Sequence, residues 1–205
     1  KKPNAYYIAV TQNSLTPDES FLITGSNMFN RDKLYARLST LRKSKDLDKA
    51  VQKGNLEWTR NGDTITGVEW KASPSGKFLI WEHPQLADNG KPFVNLYFGA
   101  TDSYDRDEST TSSKLSAGVF KGFLDSKSSA ECFVARYTDR PKTSEEAFEN
   151  SAKLMMYYGC QNLIEYSNLT IFKWYRDHGF EYMLRERPRV VYDNIKDSKM
   201  NNRYG

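Results

Sequence analysis

Histidine and cysteine are nearly absent from this chain, with two of each among 205 residues. His83 and His178 are too few and too far apart to read as a metal pair; the first reads as structural, the second as helping to end a helix. Cys132 and Cys160 sit among apolar neighbours, and two thiols make neither a zinc site nor a disulfide framework. They point to an intracellular, reducing compartment. No Ser–His–Asp or Cys–His nucleophile arrangement is legible. No run approaches eighteen apolar residues, so no membrane span is expected. The opening KKPNAYYIAVTQ has too short an apolar patch for a signal peptide. There is no internal repeat and no low-complexity tract. There is also no phosphate-binding G-x-x-x-x-G-K-[ST] loop: the nearest string, KASPSGKF, lacks the first Gly and the Ser/Thr, which excludes an ATPase of that class from this sequence.

What the chain does have is 38% hydrophobic and 14% aromatic residues, enough for a packed core. Its length suits one ordinary domain, or a domain with a smaller appendage. The net charge of +4 allows a polyanionic partner without requiring one. In the first half, LTPDESF offers a capping box built on Thr16, Pro17 and Glu19. Leu34, Leu38 and Leu41 predict a helix over 31–43. NLEWTR, TITGVEW and KFLIWEH read as three strands separated by the turn strings NGD and SPSG, hence a small antiparallel meander with Trp58, Trp70 and Trp81 as its own core. PQLADNGKP (84–92) reads as a connector. Residues 1–90 are thus expected to form an N-terminal appendage of short helices and a three-stranded meander.

The second half, residues 91–205, has the sharper pattern. FVNLYFGAT, LSAGVFKGFL and AECFVARYT read as three strands joined by short connections. TSEEAFENSAKLMMYYG is a helix with a capping box on Thr143 and Glu146, a face made of Ala147, Ser151, Met155 and Tyr158, and a stop at Gly159. NLIEY is a short strand, LTIFKWYRDHG a second helix, and FEYMLRERP a last strand broken by Pro188. Trp174, Tyr175, Phe180 and Tyr182 fall at core spacing. The order β-β-β-α-β-α-β predicts a mixed α/β sheet flanked by helices.

That order has a geometric consequence. Hairpin-linked strands alternate, so the third runs parallel to the first, and a right-handed helical crossover lets the fourth lie beside the first in the same direction. Asp102, at the end of the first strand, and Glu165, at the end of the fourth, would then emerge at one edge, a usual place for sites in open α/β sheets. Two carboxylates brought together raise each other's pKa, whereas hard oxygen ligands suit Mg²⁺ or Mn²⁺. Two such ions roughly 3.5–4 Å apart can activate a water and stabilise a leaving oxygen of a phosphodiester. Asp105 and Asp107 are further candidate ligands, and Arg140 and Lys142 candidate phosphate contacts on the same edge. The competing readings are plain: DSYDRDES can be an ordinary polar loop, because Asp and Ser are common turn residues, and RERPR (185–189) either grips DNA phosphates or is a solvated edge.

GATDSYDRDEST, ARYTDRPKTSEEAFENSAKLMMYYGCQNLIEYSN and WYRDHGFEYMLRERP together resemble the nuclease domain of large terminase subunits of tailed bacteriophages, closest to the crAss-like and Bacteroides-phage branch. The resemblance implies an RNase H-like fold and a metal-dependent endonuclease that cuts concatemeric DNA with two divalent ions, Mg²⁺ or Mn²⁺. Asp102 and Glu165 match the family's acids on the first and fourth strands. It further implies double-stranded DNA, a separate terminase ATPase domain, the portal and the small terminase subunit as partners, no membrane, and the host cytoplasm as location. The family's third acid lies on a late helix. DNIKDSKMNNRYG does not match that helix, and Asp193 and Asp197 do not fit its motif. The expectation is therefore a nuclease domain truncated at its C-terminus, inactive as an isolated fragment if the third ligand is missing. The alternatives are a non-catalytic DNA-binding or docking module on the same scaffold, or another RNase H-like nuclease such as a resolvase or transposase.

Overall fold

The computed structural model describes residues 31–43, 51–104, 113–123, 131–165 and 169–186. By internal contacts the chain divides between Ala50 and Val51. Within residues 1–50 the described element is helix α1 (Arg31–Lys43), with the expected bounds; it leaves Leu34 and Leu38 exposed and ends on Arg42 and Lys43, cations where the helix dipole favours them. The capping box at Thr16 lies outside the described residues.

The second unit is built on one seven-stranded mixed sheet. Its strands are β1 (Gln52–Asn61), β2 (Thr64–Ala72), β3 (Phe78–Ile80), β4 (Tyr97–Asp102), β5 (Leu115–Lys121), β6 (Cys132–Asp139) and β7 (Asn162–Ile164), in the order β2-β1-β3-β6-β5-β4-β7. The first three strands therefore do not stand apart as a meander. β1 lies between β2 and β3, and β3 pairs antiparallel with β6. The physical reason lies in Phe78 and Ile80, which are fully buried: three residues of strand cannot shelter such side chains alone, and adding to β6 does. Trp58 and Trp70 pack against the common core, while Trp81 is exposed. The boundary expected near residue 90 is replaced by the one at 50/51.

β4 begins at Tyr97, not Phe93. Residues 94–96 form a turn in which Asn95 takes φ 61°. Helix α2 (Ser144–Tyr158) starts where the capping box placed it, with Thr143 Oγ1 accepting the Glu146 N–H at 3.3 Å, and stops at Gly159 in the left-handed region, φ 60°. Its face of Ala147, Ser151, Met155 and Tyr158 is buried. Helix α3 (Leu169–Asp177) buries Ile171, Phe172, Trp174 and Tyr175. The expected last strand is reduced to a 3₁₀ turn, Glu181–Met183, and a parallel bridge from Leu184 to Asn162. Phe180, Met183 and Leu184 are the residues that bury there, a spacing of three that a strand of period two cannot satisfy. Tyr182 is correspondingly exposed rather than core. No helix among the described residues is long and apolar enough to cross a membrane.

Candidate metal site at the parallel strand ends

The end of β4 and the end of β7 lie side by side. The two strands are parallel, with Gly99, Ala100 and Thr101 opposite Asn162, Leu163 and Ile164, and the Glu165 N–H donates to the Thr101 carbonyl at 3.0 Å. Adjacent strands run about 4.8 Å apart, so the next residues, Asp102 and Glu165, are neighbours on one rim. Alternation sets their faces. Thr101 and Ile164 are buried on the side covered by α2, and Asp102 and Glu165 are exposed on the other.

Beneath this rim is a closed polar network that the sequence reading missed. Thr101 Oγ1 donates to Asn162 Oδ1 at 2.9 Å and meets Ser151 Oγ at 3.0 Å. The Asn162 amide donates to Ser151 Oγ at 3.2 Å and to the Tyr175 hydroxyl at 3.0 Å, and Ser151 Oγ lies 3.2 Å from that hydroxyl. All four side chains are buried. Burial pushes the Tyr175 hydroxyl well above its ordinary value, which keeps it a neutral donor. The network ties β4, β7, α2 and α3 together immediately below the two acids. The signal for it was available: a Ser inside an apolar helix face and an Asn opening an apolar strand.

The rest of the rim is polar. Ser116, opposite Asp102 on β5, shares a 3.0 Å hydrogen bond with Thr138 on β6. β6 runs out at this same edge, and Arg140 follows it: its guanidinium lies 4.3 Å over the Tyr104 ring and donates to the Ser113 carbonyl at 2.5 Å. Lys142 is exposed two residues on. Asp139, a third acid at this edge, is paired with Lys77 at 3.3 Å. Asp105 and Asp107 lie outside the described residues, as do Asp193 and Asp197.

The chemistry of the donors fits a hard divalent cation. Two exposed carboxylates on adjacent backbones offer oxygen ligands, and among the described residues no lysine or arginine pairs with either. Ser103, next after Asp102, carries a buried hydroxyl with no hydrogen-bond partner. Among the described residues no group of three or more His, Cys, Asp or Glu side chains converges on an ion site, so Asp102 and Glu165 stand there as a pair.

The histidines are structural. His178 Nδ1–H donates to the Trp174 carbonyl at 2.9 Å, closing α3, and its ring stacks on Trp174 at 4.3 Å. His83 joins Tyr157 (2.8 Å) and Gln52 (3.0 Å) through its two ring nitrogens. Burial raises the Cys160 thiol to about 12, so it is an inert core residue. Comparison of the chain with family models, curated proteins and solved structures finds no match.

Proposed function

We propose that residues 51–205 form a divalent-metal-dependent endonuclease unit of the RNase H-like kind. The observation that carries this reading is the parallel pairing of β4 with β7, which sets Asp102 beside Glu165 on an exposed rim. The spatial order β6-β5-β4-β7, with β5 antiparallel to its neighbours and α2 as the crossover, supports the same fold reading. The sequence resemblance extends it to the nuclease of a phage packaging terminase acting on double-stranded DNA in the host cytoplasm, with the portal, the small subunit and a terminase ATPase domain as partners.

Asp102 and Glu165 would hold Mg²⁺ or Mn²⁺. Such an ion supplies Lewis acidity toward a phosphodiester and lowers the pKa of a bound water. The remaining work falls to the chain. The Thr101–Asn162 network fixes the register of the two acids. Arg140, oriented by the Tyr104 ring and the Ser113 carbonyl, and Lys142 neutralise backbone phosphate, which contributes affinity but no base identity. The test is nicking of supercoiled plasmid with Mn²⁺ by the parent and by Asp102→Ala. Loss of nicking in the variant, with its fold intact, supports the reading; equal nicking removes Asp102 from it.

A further inference from the structure

The two acids share their sheet face with an unusual set of neighbours. Phe98 on β4, Phe120 on β5 and Phe133 on β6 stand opposite one another in register. The rings of Phe120 and Phe133 meet edge to face at 5.6 Å. Phe98 is 51% and Phe133 67% exposed. A β-bulge creates this row. Val119 pairs with Ala135 but Phe120 pairs with Phe133, so Val134 is the extra residue. Val134 and Ala135 are both buried, while Phe133 and Arg136, three apart, are both exposed. In a regular strand, residues three apart point to opposite faces.

The next row toward the rim is flat. It holds Ala100 and Gly118, with Arg136 beyond them, and a Cβ on Gly118 would come within 3.3 Å of the Phe133 ring. The row after that contains Asp102. Four residues of strand put the Phe98 row about 13 Å from the acids. Exposed cations flank this path: Arg136 on the face, Lys114 and Lys142 at the rim beside Arg140.

Exposed apolar patches on folded domains mark interaction sites. Here the patch is a row of aromatic rings on an open sheet, bordered by cations and leading to carboxylates suited to a metal. Every nucleobase has a π-face, and an aromatic row with nearby positive charge is how sheets hold unpaired strands without reading sequence. We infer that the Phe98–Phe120–Phe133 row is a stacking platform for single-stranded DNA, and that it guides an unpaired segment of the substrate toward Asp102 and Glu165. The inference rests on the nuclease reading for its destination, but its binding step does not need the metal.

The experiment is fluorescence anisotropy of a labelled oligothymidylate with the full chain in EDTA, beside a duplex of the same length. The single strand is expected to bind more tightly than the duplex. Phe98→Ala and Phe133→Ala should each weaken single-strand binding by about five- to a hundred-fold. Phe133→Tyr should keep it, and Phe133→Leu, apolar but without a π-face, should lose it. Wild-type affinity in Phe133→Leu, absence of oligothymidylate binding, or a dimer in sedimentation that Phe133→Ala disperses would each overturn the platform. Oligothymidylate binding without Mn²⁺-dependent nicking sinks the nuclease reading alone, and nicking unaffected by the Phe variants sinks the platform alone.

Discussion

Thr101 and Ile164 face each other at the end of the parallel β4–β7 seam, both buried. Thr101 is held there from below by Asn162 and Ser151. Whatever Asp102 and Glu165 do together depends on that seam keeping its register, because a slip of one residue would send one of the carboxylates to the helical face.

The first prediction concerns the network itself. Asn162→Ala removes the group that bonds Thr101, Ser151 and Tyr175 at once. Each of these lost hydrogen bonds contributes about 0.5–1.5 kcal/mol, and each kcal/mol lowers Tm by about 2–4 °C in a domain of this size. Thermal denaturation should show a clear drop for Asn162→Ala and a smaller one for Ser151→Ala: Thr101 and Tyr175 keep one partner in either variant, but losing the whole Asn162 amide leaves a larger cavity than losing one hydroxyl oxygen. Equal melting of Asn162→Ala and the parent would show that the network contributes nothing.

Much of this arrangement was legible from the residues. Alternating directions for the first three strands and a capped helix after them were enough to derive the parallel fourth strand, and Thr143 and Gly159 bounded α2 correctly because cap chemistry is local. The errors came from tertiary demands. A β-bulge at Val134 leaves no mark in composition. β3 is short, and only its buried partner strand explains why Phe78 and Ile80 fold as they do. Leu184 reaches the sheet as a bridge after a 3₁₀ turn, because α3 leads directly into a turn that buries Phe180 and Met183.

A second prediction follows from Lys121, whose ammonium is fully buried 2.5 Å from Glu82 Oε1, a carboxylate 29% exposed. Removing one member of such a pair strands a charge in the core and costs about 3–5 kcal/mol. Glu82→Gln should therefore lower the urea midpoint strongly. The double variant Glu82→Gln with Lys121→Met should recover most of the loss, since an apolar side chain of similar length then fills the site. Loss in the double variant equal to that in the single one would mean packing, not charge, is responsible.

The third prediction is steric. Gly99 sits where β4 passes under α2, and a Cβ there would lie 2.0 Å from Met155 Sδ and 2.9 Å from the Gln161 carbonyl oxygen. The thioether can move, but the backbone oxygen belongs to the entry of β7. Gly99→Ala should cost at least about 1–3 kcal/mol, the usual range for overpacking, measured by chemical denaturation. In a double-mutant cycle with Met155→Ala, the coupling should offset only part of the Gly99→Ala loss, because the Gln161 contact persists.

A fourth prediction concerns pH. Burial lowers the pKa of His83 below its ordinary 6.5, so the unfolded chain binds this proton more readily than the folded one. Stability from keeping His83 neutral is then complete above about pH 6.5 and is lost as pH falls through that value toward the folded pKa. The melting temperature should fall between pH 7 and pH 5, and His83→Gln should flatten that slope. An identical slope in both proteins would assign the acid sensitivity to other groups.

The last prediction separates a metal site from a pair of idle surface acids. Asp102 and Glu165 are exposed and, among the described residues, unpaired with any cation. Replacing either by its amide removes repulsion and no described ion pair. In EDTA, Asp102→Asn and Glu165→Gln should therefore melt within about 0.5 kcal/mol of the parent, as surface substitutions do, or slightly above it. Mn²⁺ changes the comparison. An ion that binds the folded chain stabilises it by RT ln(1 + [L]/Kd), about 2.7 kcal/mol at a hundred times Kd. The parent should gain Tm as Mn²⁺ is titrated, and both amide variants should gain much less. Identical gains in parent and variants would place any bound ion elsewhere. No gain in the parent would leave two carboxylates that share a rim without sharing a cation, and the nuclease reading would fall with it.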